Sequence, residues 1–67
     1  MAVIKTIDLV GVSTQSWNDA AKQALQEAAK TIRAIEGMDI LETSAVIENN
    51  EISEYQTHVQ IRFRLER

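Results

Sequence analysis

The chain of 67 residues contains no cysteine and only one histidine. The absence of cysteine excludes disulfide bonds and thiolate metal sites, and a single histidine excludes a histidine-cluster metal site within one chain. A domain this small buries little apolar surface and usually relies on a metal, disulfides or partner chains for stability. With disulfides excluded, we expect the chain to be stabilised by self-association.

Long apolar runs and an excess of positive charge are also missing. No stretch of about 18 apolar residues is present, so the sequence predicts no membrane-spanning helix. The net charge of −3 argues against a nucleic-acid-binding protein, because such proteins usually present a basic face. The first residues, MAVIKTIDLVG, lack the pattern of a signal peptide. We therefore expect a cytoplasmic protein of one domain, residues 1–67, without nucleic-acid or membrane partners.

The C-terminal segment EYQTHVQIRFRLER alternates between two sets of residues, which is typical of a β-strand with one buried face. The first set is Tyr55, Thr57, Val59, Ile61, Phe63 and Leu65; the polar set is Glu54, Gln56, His58, Gln60, Arg62, Arg64 and Glu66. A strand of about 14 residues extends roughly 45 Å, whereas a helix of about 20 residues spans roughly 30 Å. We therefore expect other copies of the chain to cover part of this strand.

Two further elements precede this strand. Residues 2–10 are rich in Val, Ile and Leu and predict a first strand that ends at Gly11. The segment STQSWNDAAKQALQEAAKTIRAIEG predicts a helix that is N-capped by Ser16 and ends at Gly37. Its apolar residues recur at three-and-four spacing and form one stripe. They are Ala21, Ala24, Leu25, Ala28, Ile32 and Ile35.

A hairpin is predicted in the second half of the chain. Residues 38–47 read as the second strand, and ENNE, residues 48–51, reads as the turn. Asn49 and Asn50 tolerate the positive φ angles that a tight hairpin requires. The predicted fold class is α+β with the order β-α-β-β, in which a three-stranded antiparallel sheet curls around one helix.

The segments IDLVGVS, SWNDAAKQAL and EYQTHVQIRFRLE together resemble the dodecins, small bacterial and archaeal flavin-binding proteins. The resemblance covers essentially the whole chain and implies assembly into a hollow dodecamer with tetrahedral symmetry. In the family, riboflavin or FMN binds in pairs near two-fold axes, stacked between a tryptophan from each of two chains. A glutamine of the last strand holds the ring edge, and some relatives also bind coenzyme A or metal ions.

The resemblance implies a flavin site at Gln56, Gly37 and Met38. Gln56 matches the flavin-contacting glutamine, whose amide can both donate and accept hydrogen bonds; the alternative is an ordinary polar residue on a solvated strand. Gly37 and Met38 stand where the family has the tryptophan and the residue after it, so the stacking side chain is absent. Trp17, at the helix start, is assigned to core or interface packing. Residues 43–45 lack the arginine and glycine of many relatives, which makes FMN and coenzyme A less favoured ligands.

Two functional hypotheses follow. The first is an oligomeric binding protein that stores or sequesters a flavin; the second is a dodecin-fold assembly that binds no flavin and has a structural or metal-ion-binding role. Gln56 favours the first and Gly37 the second. No metal ligands are predicted, because the carboxylates show no ligand-loop spacing and His58 would need partners from other chains. No nucleophile-and-base arrangement or phosphate loop is present, so no enzyme is expected.

Overall fold

The computed structural model describes residues 2–66 and contains one helix and three strands in these residues. In chain order the elements are β1 (Ala2–Ser13), α1 (Trp17–Ala29), β2 (Ile35–Glu48) and β3 (Glu51–Glu66). The strands form one antiparallel sheet in the order β1-β3-β2, so the last strand lies in the centre. The α+β fold with β-α-β-β order, predicted from the sequence, is therefore confirmed.

The helix packs on one face of the sheet through small side chains. Its buried residues are Ala20, Ala21, Ala24 and Ala28. Ala21, Ala24 and Ala28 form the core cluster with Val59 and Ile61 of β3, which are completely buried. Because alanine side chains are short, the helix axis comes close to the sheet, and the core is thin.

Gly11 permits the closest approach between α1 and β1. A Cβ atom at this position would lie 2.7 Å from the carbonyl carbon of Ala20, nearer still to its oxygen, and 3.2 Å from Cβ of Ala24. The prediction that β1 ends at Gly11 was therefore wrong: the strand continues to Ser13. The glycine is needed for space beside the helix, not for a turn.

The start of α1 is fixed by side-chain hydrogen bonds. Ser16 is the N-cap, as predicted, and its Oγ accepts from the backbone N–H of Asp19 at 2.9 Å. Oγ of Ser13 donates to Oδ2 of Asp19 at 2.6 Å. Oγ of Thr57 donates to the carbonyl oxygen of Trp17 at 2.8 Å. These bonds join the first turn of the helix to β1 and β3.

The predicted end of the helix was wrong. The helix ends at Ala29, and Ala34, with φ of 62°, takes the left-handed conformation just before β2. Gly37 lies inside β2, where it pairs with Arg62 of β3. Ile32 and Ile35 lie beyond the helix but pack against the core. Because their spacing in the sequence continues that of the apolar helix stripe, the helix was predicted to be longer than it is.

The hairpin between β2 and β3 is confirmed. Asn49 and Asn50 have φ angles of 53° and 65°, which suits a two-residue hairpin turn. The second strand is longer than the predicted residues 38–47. Its pairing with β3 is irregular at three places, which lie between Ile35 and Gly37, between Ile40 and Glu42, and between Val46 and Ile47.

The helix covers less than half of the central strand. The 13 residues of α1 span about 20 Å, whereas the 16 residues of β3 extend about 53 Å. Apolar side chains are consequently left exposed beyond the helix and on the other face of the sheet. They include Val3, Ile4, Val10, Val12, Ile40, Leu41, Ile47, Ile52 and Leu65.

Replacement of the two glycines separates these packing roles. Gly11→Ala should lower the free energy of unfolding by about 2 kcal/mol or more, because its Cβ would overlap the backbone of α1. Gly37→Ala should change it by less than about 1 kcal/mol, because the added atom meets the end of an arginine side chain, which can move away at the cost of its half-exposed ion pair with Asp39. Denaturant titration at a fixed protein concentration measures both changes. Equal effects of the two substitutions would contradict the close approach at Gly11.

Candidate functional site

The candidate site lies on the face of the sheet opposite α1, here called the outer face. Its central row is the polar set of β3, namely Gln56, His58, Gln60, Arg62 and Arg64. These side chains point away from the helix because they alternate with Thr57, Val59 and Ile61, which are buried beneath it. The alternation predicted from the sequence therefore describes the two faces of β3 correctly.

In the middle of the row, two side chains lie close to one carboxylate of β1. Nε2 of His58 lies 3.3 Å from Oδ2 of Asp8. Nε2 of Gln60 donates to Oδ1 of the same aspartate at 3.3 Å. These contacts link β3 to β1 across the outer face.

Towards the C-terminal end of the row, two arginines bind carboxylates of β2. Nη1 of Arg62 donates to Oδ2 of Asp39 at 2.5 Å. Nε of Arg64 donates to Oε2 of Glu36 at 3.0 Å. The hydrogen bond and the negative charge of Asp39 raise the pKa of Arg62 above its ordinary value, with a smaller contribution from Glu36. Arginine is not deprotonated in proteins, so the guanidinium of Arg62 is a cation bound to a carboxylate.

Gln56 differs from the rest of the row. Its side chain is half-buried and makes no hydrogen bond with any residue from 2 to 66, the part of the chain that is described. It pairs with Val12 of β1 on one side and with Ser44 of β2 on the other. Its amide is consequently available to a ligand, next to the exposed side chain of Val12.

The three residues of the predicted flavin site do not lie together in one chain. Gly37 is on the outer face with Gln56, whereas Met38 pairs with Ile61 and packs against the core on the helix side. Gly37 pairs with Arg62, which is six residues from Gln56 along β3 and hence about 20 Å away. A three-ring heterocycle cannot touch both Gly37 and Gln56 of the same chain.

Trp17 is engaged in packing, as predicted. Its indole Nε1 donates to the carbonyl oxygen of Ser44 at 2.7 Å. Its ring meets that of Tyr55 edge to face, with centroids 4.7 Å apart, an arrangement favoured for aromatic pairs. The indole therefore joins the helix start to β2 and does not lie on the outer face.

Sequence reasoning missed the group that lies next to Gly37. A Cβ atom at Gly37 would come within 2.7 Å of Cζ and 2.8 Å of Nε of Arg62, and closer to Nη2. The guanidinium, bound to Asp39, thus fills the space in which a larger side chain at position 37 would begin. Alternation placed Arg62 on the correct face, but its pairing with Gly37 depends on the irregularity of β2 at Glu36.

The described residues give no sign of a metal site within one chain or of a membrane span. No three histidine, aspartate or glutamate side chains among residues 3–65, whose side chains the structure describes, are close enough to hold an ion together. In the same part of the chain, α1 is too short and too polar to cross a membrane.

Comparison with known proteins identifies the family. The model of the Dodecin family matches residues 3–66. This chain belongs to the dodecin family. A dodecin of Thermus thermophilus is 34% identical over 64 residues, which cover 96% of this chain and 93% of that protein. The calcium dodecin of Mycobacterium tuberculosis is 28% identical over 65 residues, which cover 97% of this chain and 92% of that protein.

Solved structures of dodecins have the same fold. A crystal structure of a T. thermophilus protein matches with a TM-score of 0.94 and 33% identity, over 100% of this chain and 98% of that chain. The dodecin of Streptomyces coelicolor matches in fold, with a TM-score of 0.94 at 23% identity, over 98% and 94% of the two chains. The M. tuberculosis calcium dodecin, described with a calcium-binding site, matches with a TM-score of 0.84 and 26% identity, over 96% and 91%.

Proposed function

We propose that this dodecin binds a flavin, preferably riboflavin, at sites formed between copies of the chain, and stores or sequesters it without turning it over. The observation that carries the proposal is the amide of Gln56 on the outer face, which forms no hydrogen bond with the side chains of residues 3–65. A carboxamide can donate and accept at the same time. It therefore complements the pyrimidine edge of an isoalloxazine ring, where carbonyl acceptors flank an N–H donor.

The surroundings of Gln56 suit the uncharged part of a flavin. Val12 is 44% exposed and Val10 is 56% exposed on the neighbouring strand, so apolar ring surface can be buried beside the amide. Ser44 and its neighbours in residues 43–45 carry no positive charge at this register. A phosphate would find no cation there, and riboflavin is thus the preferred flavin over FMN.

A complete site requires at least two copies. The distance of about 20 Å between the registers of Gln56 and Gly37 means that a ligand touching both positions takes them from different chains. The exposed apolar residues beyond α1 also need covering, because edge strands with uncovered apolar surface pair readily. We propose a homo-oligomer, and the hollow dodecamer of the family is the assembly that we expect.

A second candidate function is calcium binding between copies. It is favoured by the similarity to the M. tuberculosis calcium dodecin and by two carboxylates on the outer face. Asp8 is 3.3 Å from His58, and Glu42 pairs with His58 from the other side. Calcium takes six to eight oxygen ligands, so several chains would have to contribute carboxylates to each ion.

The oligomer proposal predicts the mass of the folded protein in solution. Sedimentation velocity at low micromolar concentration should give a single assembly much larger than the 7.5 kDa chain, and a dodecamer is the expected species. The apolar residues left uncovered by α1 are the physical reason. A lone chain that unfolds cooperatively at these concentrations would contradict the proposal, together with any site shared between chains.

The flavin proposal predicts quenching of riboflavin fluorescence on titration with the protein. Gln56→Ala should weaken binding about tenfold or more, because two hydrogen bonds of about 1 kcal/mol each are lost. Gln26→Ala, on the exposed face of α1, is the matched control and should bind as the wild type does. Unchanged riboflavin fluorescence at high micromolar protein would overturn the proposal. If Gln56→Ala bound riboflavin as tightly as the wild type, the site would lie elsewhere.

The calcium proposal predicts a concentration-dependent rise in melting temperature with calcium, as expected for a ligand that binds the folded state only. The double variant Asp8→Asn and Glu42→Gln should abolish this rise, because it removes both carboxylates near His58. Glu27→Gln, on the exposed side of α1, is the control. If calcium raised the melting temperature equally in the wild type, the double variant and the control, the ion would not bind at Asp8 and Glu42.

A further inference from the structure

The geometry points to Arg62 as a ligand-binding residue: its guanidinium, held beside Gly37 by Asp39, supplies the planar surface on which a flat heteroaromatic ring stacks. This inference rests on the proposed function and names the group that contacts the flat face of the ligand. It also restricts the ligand class to planar aromatic rings, with no requirement for a phosphate.

The position of the guanidinium is determined on three sides. Gly37 lies beneath it and leaves room only because it has no Cβ. Asp39 accepts a hydrogen bond from Nη1, and Glu36, already bound to Arg64, adds a second negative charge nearby. The group is therefore oriented before a ligand binds, which lowers the entropy lost on binding.

The side of the guanidinium that faces away from Gly37 is accessible to a ligand. The Arg62 side chain is 40% exposed, and among the side chains of residues 3–65 only Asp39 accepts a hydrogen bond from it, at Nη1. Nε and Nη2 thus remain available to acceptors on a ligand. A planar guanidinium stacks on aromatic rings through cation–π and dispersion contacts, which a lysine ammonium cannot reproduce in the same geometry.

The neighbouring Arg64 lies on the same face as Arg62, but its donors Nε and Nη2 are already engaged. Both Nε and Nη2 of Arg64 point to the carboxylate of Glu36, at 3.0 and 3.5 Å. Its donors are therefore engaged in an ion pair on the same face. Arg64 therefore does not offer Nε and Nη2 to a ligand, although it carries the same charge two residues away along β3.

Titration of riboflavin and of FMN into variants of the full chain tests the inference. Arg62→Ala should weaken binding of both flavins roughly tenfold, and Arg62→Lys should weaken it similarly because the plane is lost while the charge remains. Gly37→Ala should also weaken binding, because its Cβ displaces the guanidinium while Arg62 stays in place. Arg33→Ala, an exposed arginine between α1 and β2 and away from the outer face, should leave both affinities unchanged.

Several results would overturn the inference. Equal affinity of Arg62→Ala and the wild type would remove Arg62 from the site while the proposed function stands. A loss confined to FMN would show that Arg62 reads the phosphate, and full retention by Arg62→Lys would show that charge suffices. A wild-type protein that binds neither flavin would end the proposed function itself, together with the stacking role.

Mixed assemblies test whether one binding site takes Arg62 and Gln56 from different chains. Arg62→Ala and Gln56→Ala chains, unfolded together and refolded as one population, should regain high-affinity sites in which Arg62 comes from one chain and Gln56 from another. Each variant refolded alone serves as the control. Mixtures that bind no better than the separate variants would contradict the joint use of these two residues by one ligand.

Discussion

The helix of 13 residues is much shorter than the central strand of 16 residues on which it lies, because a helix rises less per residue than a strand. This difference in length determines which parts of the sheet are covered. The helix can cover only the middle of β3, where Val59 and Ile61 become fully buried. Both ends of the sheet and its whole outer face must then be stabilised by other means. Those means are ion pairs between strands within the chain and, as proposed, contacts with further copies.

The outer face is organised by the pairing of β3 with its two neighbours. A shift of one residue in this pairing would exchange the polar row with the buried set, so the hairpin that determines the pairing also determines the site. The positive φ angles of Asn49 and Asn50 fix the start of the pairing. Further along, the irregularity of β2 at Glu36 brings Gly37 opposite Arg62. Fold and site thus depend on the same hydrogen-bonded ladder.

The parts of the structure that could be predicted from the sequence are those encoded locally. The alternation around Val59, the N-cap at Ser16 and the turn at Asn49 each involve residues that are close in sequence. The end of α1 could not be predicted, because Ile32 keeps the spacing of a helical stripe while packing on the core from outside the helix. Gln56 was placed on the correct face, but the contact between Arg62 and Asp39 required the register of β2.

The two glycines of the chain illustrate why their roles escaped prediction. Each suggests the end of an element, yet each lies within a strand and provides space for a group that is distant in sequence. At Gly11 that group is the backbone of α1, and at Gly37 it is the guanidinium of Arg62. Position 37 is therefore not simply a site that has lost a side chain. A planar group from the central strand occupies the space beside it, and the absence of an indole at this register leaves a different surface rather than an empty one.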